Sequence, residues 1–322
     1  MWNDLQAAPL LLNRYFDFLP FSLRLCYDCA MLAALAKTMR PRQWTKNAVV
    51  FAALVFDRKL LNWPAFFHTL VGFIIFCLLS GVVYIINDIA DAESDRHHPD
   101  KCHRPIASGE LPVSVARLSA IVFVAFLFPF SFLMSPGFAG VALTYLLINL
   151  AYSQWIKHIP LLDVFSIAAG FVLRVAAGVT LIQVERFSPW LYVVTTLGAL
   201  YIGFGKRRAE LALLADGANA HRRVLEGYTI PLLDQFITIV SATTIIAYSL
   251  YTFSAPNLPE NHTMMLTIPF VLYGVFRYLY LIQVTHRAGA PEEVLLSDRP
   301  LQISILLWGL SVLVVFYLIP AG

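Results

Sequence analysis

The sequence predicts an all-α, polytopic membrane protein, built as one bundle of nine transmembrane helices. Hydrophobic residues make up 59% of the 322 residues and charged residues only 13%, whereas soluble domains carry about 25% charged residues. The mean hydropathy is +0.70. Apolar runs near the roughly 20 residues needed to cross a bilayer as a helix recur along the chain. The net charge of +3 is modest and does not indicate a nucleic-acid partner.

Residues 1–38 are predicted to form an amphipathic N-terminal extension, and residues 39–322 the transmembrane catalytic domain. In the extension, aromatic residues alternate with charged ones, a pattern typical of segments at the headgroup level. Cys26 and Cys29 form a CxxC pair, but the sequence has no second pair. Because a zinc site normally needs four nearby ligands, these cysteines are interpreted as small apolar residues.

Nine candidate spans follow the extension, and proline or glycine stands near many of their ends. The spans are 44–57, 64–90, 113–134, 136–155, 162–183, 188–206, 232–253, 264–285 and 301–320.

Basic residues indicate the orientation of these spans, because Lys and Arg are enriched in cytoplasmic segments. With the N-terminus inside, cytoplasmic segments hold 17 of the 23 Lys and Arg residues, outer loops hold three, and three lie within spans. The sequence therefore predicts a cytoplasmic N-terminus and an outer C-terminus, with residues 91–112, 156–161 and 206–231 facing the cytoplasm.

The second span ends in an acidic motif, Asn87-Asp88-x-x-Asp91-x-x-x-Asp95. This spacing places all four side chains on one side of a helix. Stacked carboxylates repel one another, and a hard divalent cation relieves that repulsion. Mg²⁺, bridging carboxylates to substrate phosphates, is the usual arrangement. The motif therefore predicts a Mg²⁺ and diphosphate site at the cytoplasmic surface.

Basic residues follow the acidic motif at Arg96, Lys101 and Arg104. Arg grips phosphate oxygens with paired hydrogen bonds, and Lys acts as a point charge. Softer metal ligands also occur here, at His97, His98, Cys102 and His103. The carboxylates upstream favour Mg²⁺ over zinc at this place.

The acidic motif resembles the first aspartate motif of the UbiA superfamily of intramembrane prenyltransferases. That resemblance covers about residues 38–320. It implies a UbiA-like bundle of nine helices with a cytoplasmic active site in a bacterial plasma membrane, and Mg²⁺ as the cofactor.

One departure from the family pattern bears on the substrate. The family's second aspartate-rich motif is missing, and the corresponding loop reads Gly205-Lys-Arg-Arg-Ala-Glu210, followed by Asp216 and Arg222-Arg223-x-Leu225-x-x-Tyr228. With Arg40-Pro-Arg-Gln-Trp-Thr-Lys46-Asn47, Arg104-Pro-Ile-Ala-x-Gly109, and Tyr152-Ser153-x-x-x-Lys157 with Asp163 and Arg174, this loop is similar to the decaprenyl-phosphate phosphoribosyltransferase branch. The resemblance implies transfer of 5-phosphoribosyl from phosphoribosyl pyrophosphate to a polyprenyl phosphate, towards an arabinose donor for a cell envelope or a secreted glycan.

The resemblance implies roles for residues beyond the motif. Asp88, Asp91 and Asp95 are expected to be catalytic, and the same three with Asn87 to bind the metal. The expected substrate-binding residues are Lys46, Asn87, Arg96, Lys101, Arg104, Tyr152, Lys157, Arg174, Lys206, Arg207 and Glu210.

Several of these roles have competing interpretations. Lys157 could serve only as a cytoplasmic anchor. Arg207 and Arg208 cannot both face one site, since adjacent helical residues diverge. Arg174, inside a span, is interpreted as part of a phosphate pocket, with a structural ion pair to Asp163 as the alternative.

Two other functions compete with phosphoribosyl transfer. A UbiA-type prenyltransferase using an aromatic acceptor would keep the fold and Mg²⁺. A transporter or scaffold would distribute charge through its spans, whereas nearly all charge here lies at one face. The expected partners are phosphoribosyl pyrophosphate, a polyprenyl phosphate and the lipid bilayer, and homo-oligomerisation is left open.

Overall fold

The computed structural model is almost wholly helical, and it contains no strand in the residues it describes, which are 21–99, 101–182, 184, 188–215, 223–255, 258–259, 261–284, 294 and 297–319. The α-helices, numbered in chain order, are α1 (Phe21–Thr38), α2 (Ala52–Phe56), α3 (Trp63–Ala90), α4 (Ala92–Arg96), α5 (Pro105–Ser108), α6 (Val113–Met134), α7 (Pro136–Gln154), α8 (Leu162–Leu181), α9 (Pro189–Ala215), α10 (Ile230–Ser254), α11 (Ile268–Gln283) and α12 (Arg299–Tyr317). The 3₁₀-helices are Pro41–Phe51, Lys101–His103, Ile156–His158, Arg223–Gly227 and Thr263–Thr267.

Seven helical segments in the described chain are long and apolar enough to cross a membrane. They are Trp63–Ala90, Val113–Met134, Pro136–Gln154, Leu162–Leu181, Ile230–Ser254, Thr263–Gln283 and Arg299–Tyr317. The all-α membrane class is thereby confirmed, while the count of nine stays a prediction, because segments 44–57 and 188–206 are not among the seven.

The first predicted span, 44–57, is divided between the 3₁₀-helix Pro41–Phe51 of 11 residues and α2 of 5 residues. A 3₁₀-helix rises about 2.0 Å per residue and an α-helix about 1.5 Å, so this segment extends roughly 30 Å if it is regular. That length is close to the roughly 30 Å thickness of the hydrocarbon core. The stretched geometry explains how so few residues could serve as a span.

The sixth predicted span, 188–206, is part of a longer helix, since α9 has 27 residues and ends at Ala215. Its last turns carry Lys206, Arg207, Arg208 and Glu210. These charges make α9 less apolar than its neighbours, and they place the basic stretch on a helix rather than in a loop.

Proline and a capping side chain together begin several of these helices. Ser135 accepts from the Phe138 N–H at the start of α7, and Asp298 accepts from the Leu301 N–H at 2.9 Å at the start of α12. Each cap precedes a proline in the first turn, where the missing N–H costs nothing. The prolines noted near the ends of the predicted spans therefore correspond to real helix boundaries.

The chain divides into two compact units. The small unit contains, in the described chain, residues 21–42 and 80–125, and the large unit contains residues 43–79 and those from 126 onward. The small unit buries Ile106 and Leu111. The large unit has a core that includes Val164, Tyr201, Leu233, Ile237 and Ile282. The predicted division at residues 38 and 39 stays a prediction, and residues 1–20 of the predicted extension lie outside the described residues.

Candidate active site

The acidic motif lies at the end of α3 and continues into α4. Asn87 and Asp88 are on the last turn of α3, and Asp95 is in α4. Asp91 stands between the helices with φ −94° and ψ 0°. Its N–H still donates to the Asn87 carbonyl at 2.9 Å, and the Asp95 N–H donates to the Asp91 carbonyl at 2.8 Å. The predicted helical spacing is thus kept across a break between two helices.

Two arginines bind the carboxylates of this motif. Arg104 donates through one nitrogen, Nη1, to Asp88 Oδ1 at 3.1 Å and to Asp95 Oδ2 at 2.7 Å. Arg40 donates through Nη2 to Asp88 Oδ1 at 2.6 Å. Asp88 and Asp95 are only 2% and 3% exposed, and a buried carboxylate needs such partners. These four side chains, called the Asp88 cluster below, carry no net charge together.

Arg40 is the member of the Asp88 cluster that sequence reasoning did not place in the site. It has a left-handed backbone with φ 52°, which is uncommon for a residue other than glycine. Its guanidinium carbon also lies 4.7 Å from the centre of the Tyr84 ring, within range for a cation–π contact. The feature of the sequence that could have indicated this role is the position of Arg40 directly before Pro41, where the chain must turn out of α1.

The Asp88 cluster has donors that suit a hard cation. No group of three or more His, Cys, Asp or Glu side chains in the described chain is arranged as a metal site. In that part of the chain, Asp88 Oδ2 and Asp95 Oδ1 nevertheless accept no hydrogen bond, so each buried carboxylate keeps an oxygen available. Carboxylate oxygens are the ligands that Mg²⁺ prefers, and the residues therefore fit this ion.

Arg96 and Lys101 lie at exposed positions outside the Asp88 cluster. Arg96 donates to Glu93 at 2.9 Å, and the Glu93 side chain is 80% exposed. Lys101 is in the 3₁₀-helix Lys101–His103. Of the three basic residues that follow the motif, only Arg104 contacts the buried carboxylates, and substrate roles for the other two stay predictions.

The large unit contains a second charged cluster, built on α8 and α9. Arg207 of α9 donates through Nε to Asp163 Oδ2 of α8 at 2.6 Å. The same guanidinium donates through Nη1 to Glu210 Oε2 at 2.6 Å. Asp163 is fully buried and Arg207 is 1% exposed. Burial of such a charge requires paired, hydrogen-bonded partners, and Arg207 has two.

Tyr228 extends this cluster to two loops. Its hydroxyl donates to Asp163 Oδ1 at 2.7 Å and accepts from the Leu161 N–H at 2.6 Å. Leu161 has a left-handed φ of 69°. Burial raises the pKa of the Tyr228 hydroxyl above its ordinary value, so it stays protonated as the donor to Asp163. We call Asp163, Arg207, Glu210 and Tyr228 the Asp163 cluster. The sequence analysis considered Asp163 only in a motif and as a possible partner of Arg174, and Tyr228 only in a motif.

Arg208 faces a different part of the large unit from Arg207. It donates through Nε to Asp234 of α10 at 2.6 Å and through Nη1 to the Ile282 carbonyl at 3.1 Å. Successive helical residues point about 100° apart, and the structure separates these two arginines as that geometry requires. Arg208 therefore has its partners in the packing of α9 against α10 and α11.

Arg174 is buried inside α8 and is held by neutral groups. Nε donates to Asn47 at 2.7 Å, Nη1 to the Gly170 carbonyl at 2.8 Å, and Nη2 to Tyr145 at 3.0 Å. The alternative of an ion pair with Asp163 is wrong, because Asp163 is paired with Arg207. In the described chain no carboxylate offsets the charge of Arg174. Asn47 and Tyr145 are partners that sequence reasoning missed.

The remaining predicted residues are partly buried in the large unit. Lys46 lies in the 3₁₀-helix Pro41–Phe51, and Lys157 lies in the 3₁₀-helix Ile156–His158. Tyr152, near the end of α7, interacts electrostatically with Arg207. Lys206 makes no hydrogen bond or ion pair with any residue that the structure describes, although it is partly buried. Lys206 is therefore available to an anionic ligand.

Comparison with known proteins decides the family. The profile of the UbiA prenyltransferase family matches residues 48–306, which is most of the chain. The chain belongs to the UbiA prenyltransferase family. Membership, together with the seven apolar helices, makes it an integral membrane protein, and the predicted UbiA-like bundle is confirmed.

Relatives of this UbiA-family protein include two decaprenyl-phosphate phosphoribosyltransferases. The one from Corynebacterium glutamicum is 33% identical over 297 residues, covering 89% of this chain and 87% of the relative. The one from Mycolicibacterium smegmatis is 35% identical over 295 residues, covering 86% and 91%. Among solved structures, a UbiA homologue from Archaeoglobus fulgidus bound to DMAPP and Mg²⁺ has a TM-score of 0.66 at 19% identity and covers 88% of this chain and 99% of that one. At 19% identity, the similarity to the Archaeoglobus fulgidus structure concerns the fold.

Proposed function

We propose that this protein transfers 5-phosphoribosyl from phosphoribosyl pyrophosphate to a polyprenyl phosphate and releases diphosphate. The observation that carries the proposal is the pair of decaprenyl-phosphate phosphoribosyltransferases that align with nearly the whole chain at 33% and 35% identity. The geometry described above supplies groups that suit each chemical demand of this reaction.

The leaving diphosphate requires positive charge. Asn87, Asp88, Asp91 and Asp95 would hold Mg²⁺, which supplies charge neutralisation to the departing group when bound. Arg40 and Arg104 already donate to the same carboxylates. Their remaining N–H groups suit phosphate oxygens, because Arg can donate to several oxygens at once. The Asp88 cluster thus offers both acidic and basic groups for a metal–diphosphate pair.

The other phosphates require cations that carboxylates have not already neutralised. Lys206 has no partner in the described chain, and Arg174 has neutral partners only. The sequence also proposes Lys46 and Lys157, each of which interacts with another residue. Because two anionic substrates repel each other, positive side chains must lower that repulsion before reaction. We assign Lys206 and Arg174 to this role.

The chemical step needs no general base from the protein. A phosphate oxygen of the lipid, ionised at neutral pH, attacks C1 of the ribose, and a new C–O bond forms. The bond from C1 to the diphosphate breaks, and its electron pair leaves with the diphosphate. Positive charge develops at C1 as that bond weakens, so pre-arranged charges around the leaving group lower the barrier. Attack from the face opposite the diphosphate gives inversion at C1.

We propose that the reaction takes place on the cytoplasmic side of a bacterial plasma membrane. Support comes from the distribution of Lys and Arg, of which 17 fall on the side of the acidic motif and three on the other. The polyprenyl chain would lie in the bilayer while its phosphate reaches this surface. Cysteine accessibility tests this orientation: a maleimide that cannot cross membranes should label a cysteine introduced at Arg96 only in inverted vesicles.

A direct assay separates this proposal from prenyl transfer. Purified protein is given Mg²⁺ with either labelled phosphoribosyl pyrophosphate and a polyprenyl phosphate, or labelled prenyl diphosphate and an aromatic acceptor. Label is expected in the lipid fraction with the first pair, and EDTA should abolish it. Label transferred only with the second pair would favour the prenyltransferase and reject our proposal.

A further inference from the structure

The Asp163 cluster contains a buried donor that the protein leaves unused. Arg207 uses Nε for Asp163 and Nη1 for Glu210, both at 2.6 Å. In the part of the chain that the structure describes, its third nitrogen, Nη2, is buried and has no hydrogen-bond partner. A buried N–H group without an acceptor is energetically unfavourable. Since the protein keeps this donor, a ligand oxygen is the natural acceptor.

Charge decides which class of oxygen suits this donor. The guanidinium of Arg207 already binds two carboxylates, Asp163 and Glu210. Phosphate would meet two carboxylates around one guanidinium, and like charges held close together are unfavourable. An uncharged oxygen avoids that repulsion. The cluster is therefore poorly suited to phosphate, which is the role expected for Arg207 from the sequence.

A hydroxyl group matches the two kinds of side chain present. A hydroxyl both accepts and donates a hydrogen bond, so it can accept from Arg207 Nη2 and donate to a carboxylate. The Glu210 side chain is 22% exposed while Arg207 is 1% exposed. Glu210 is thus the carboxylate of the pair that a ligand can reach. Ionised oxygens of phosphate accept only and cannot use Glu210.

We propose that Arg207 and Glu210 bind a hydroxyl group of the donor's ribose, and that Asp163 and Tyr228 are positioning residues that hold Arg207 for this contact. The inference rests on the proposed function and names the part of the donor that this cluster recognises. A prenyl diphosphate has no such hydroxyl groups. The cluster would then select a sugar phosphate over a prenyl donor, because a site built to bind a hydroxyl group disfavours ligands that lack it.

The contacts around Asp163 and Tyr228 support their role as positioning residues. Asp163 accepts from Arg207 on one oxygen and from the Tyr228 hydroxyl on the other. Gly227 lies against Pro160, since a Cβ on Gly227 would come within 2.3 Å of the proline ring. The loops before α8 and α10 are thereby packed together around Tyr228. Any rotation of the Arg207 side chain that moved Nη2 would break the hydrogen bond from Nε to Asp163.

Analogues of the donor test the inference. We would measure kcat/KM with phosphoribosyl pyrophosphate and with its 2-deoxy and 3-deoxy analogues, for the wild type and for Glu210→Gln, Arg207→Lys and Tyr228→Phe. Hydrogen bonds to charged groups contribute about 1.5–3 kcal/mol, so the wild type should lose about 10- to 100-fold with one analogue. In Glu210→Gln and Arg207→Lys that loss should shrink to within about 3-fold, and in Tyr228→Phe it should shrink partly. For each enzyme we take the ratio of kcat/KM with phosphoribosyl pyrophosphate to kcat/KM with the analogue. Dividing the variant's ratio by the wild-type ratio cancels the intrinsic reactivity of the analogue.

The matched control is Glu110→Gln, because Glu110 is 47% exposed and pairs with Lys37 at the surface. This variant should keep the wild-type ratio. The inference is overturned if the wild type does not distinguish the donors, or if every folded variant keeps the full discrimination while losing rate equally with all donors. Absence of lipid-linked product from the wild type with any donor would instead reject the proposed function, and this inference with it. Size-exclusion profiles in detergent establish which variants are folded.

Discussion

Arg207 and Asp163 form an ion pair that is closed to solvent, with 2.6 Å between Nε and Oδ2, and they lie 44 positions apart in the sequence. Exposure is 1% for Arg207 and 0% for Asp163. The pair joins α9 to α8. Removing one member of a buried pair is much more costly than never having had the pair, because the survivor keeps its charge without compensation.

We therefore expect Asp163→Ala to lower the free energy of unfolding by about 3 kcal/mol, the low end for breaking a buried pair, since Glu210 still binds Arg207. Thermal unfolding in detergent would measure this. The matched control is Glu110→Ala, whose side chain is 47% exposed and whose partner, Lys37, is 60% exposed. Exposed pairs contribute about 0–1 kcal/mol. Equal losses in the two variants would show that the burial of the Asp163 pair has no energetic consequence.

The second prediction concerns the metal. Loss of a residue that merely supports a ligand costs about 10- to 100-fold in metal affinity or activity, so loss of a direct ligand should cost about 100-fold or more. We expect Asp91→Ala to lower turnover by that factor while elution in detergent is unchanged. Initial rates over a range of Mg²⁺ concentrations would show it. Glu110→Ala, on the surface, should act like the wild type, and an Asp91→Ala enzyme with full rate would remove the metal hypothesis.

The third prediction concerns the packing of the first segment against α8. A Cβ on Gly178 would lie 2.1 Å from the Val50 carbonyl oxygen, whereas a Cβ on Gly140 would meet nothing within 4 Å. Overpacking a close contact costs about 1–3 kcal/mol, and a backbone oxygen cannot turn aside as a side chain can. We expect Gly178→Ala to lose at least that amount in thermal unfolding. Gly140→Ala should be neutral or gain up to about 1 kcal/mol through helix propensity. The same effect at both sites would contradict the close approach.

The fourth prediction is a dependence on alkaline pH. Burial raises the pKa of Tyr228 in the folded protein, while an unfolded tyrosine has a pKa of about 10. A group with a raised folded pKa contributes stability that is present below the unfolded pKa and is lost as pH rises through the folded pKa. Wild-type stability should thus fall as pH rises above about 10. Tyr228→Phe lacks this titration, so its disadvantage relative to the wild type should narrow between pH 9 and 11.

Melting temperatures of both proteins at several pH values would test this prediction. Other buried tyrosines are common to both proteins, so their titration cancels in the difference. A difference in melting temperature that stays constant across this range would show that Tyr228 ionises as easily in the folded protein as in the unfolded one.

Local composition was sufficient to predict the helices. The predicted span 113–134 agrees with α6, and most other spans agree with their helices to within a few residues, because an apolar run of bilayer length has few alternatives to a helix. Sequence also identified the acidic motif, whose spacing reflects positions on neighbouring turns. It did not identify the 3₁₀ geometry of Pro41–Phe51, since the choice between two helix types depends on packing.

The sequence alone thus determined the features that depend on residue type and on spacing along a helix. These are the membrane-spanning bundle, the series Asp88, Asp91 and Asp95, and the basic stretch from Lys206. Only the tertiary structure decided which charges pair. Asp163 and Arg174 lie eleven residues apart on α8, about 16 Å along the axis, too far to touch. Asp163 instead pairs with Arg207 of α9, and Asp88 with Arg40 and Arg104. Such pairings depend on how separate helices pack, and no local pattern encodes that arrangement.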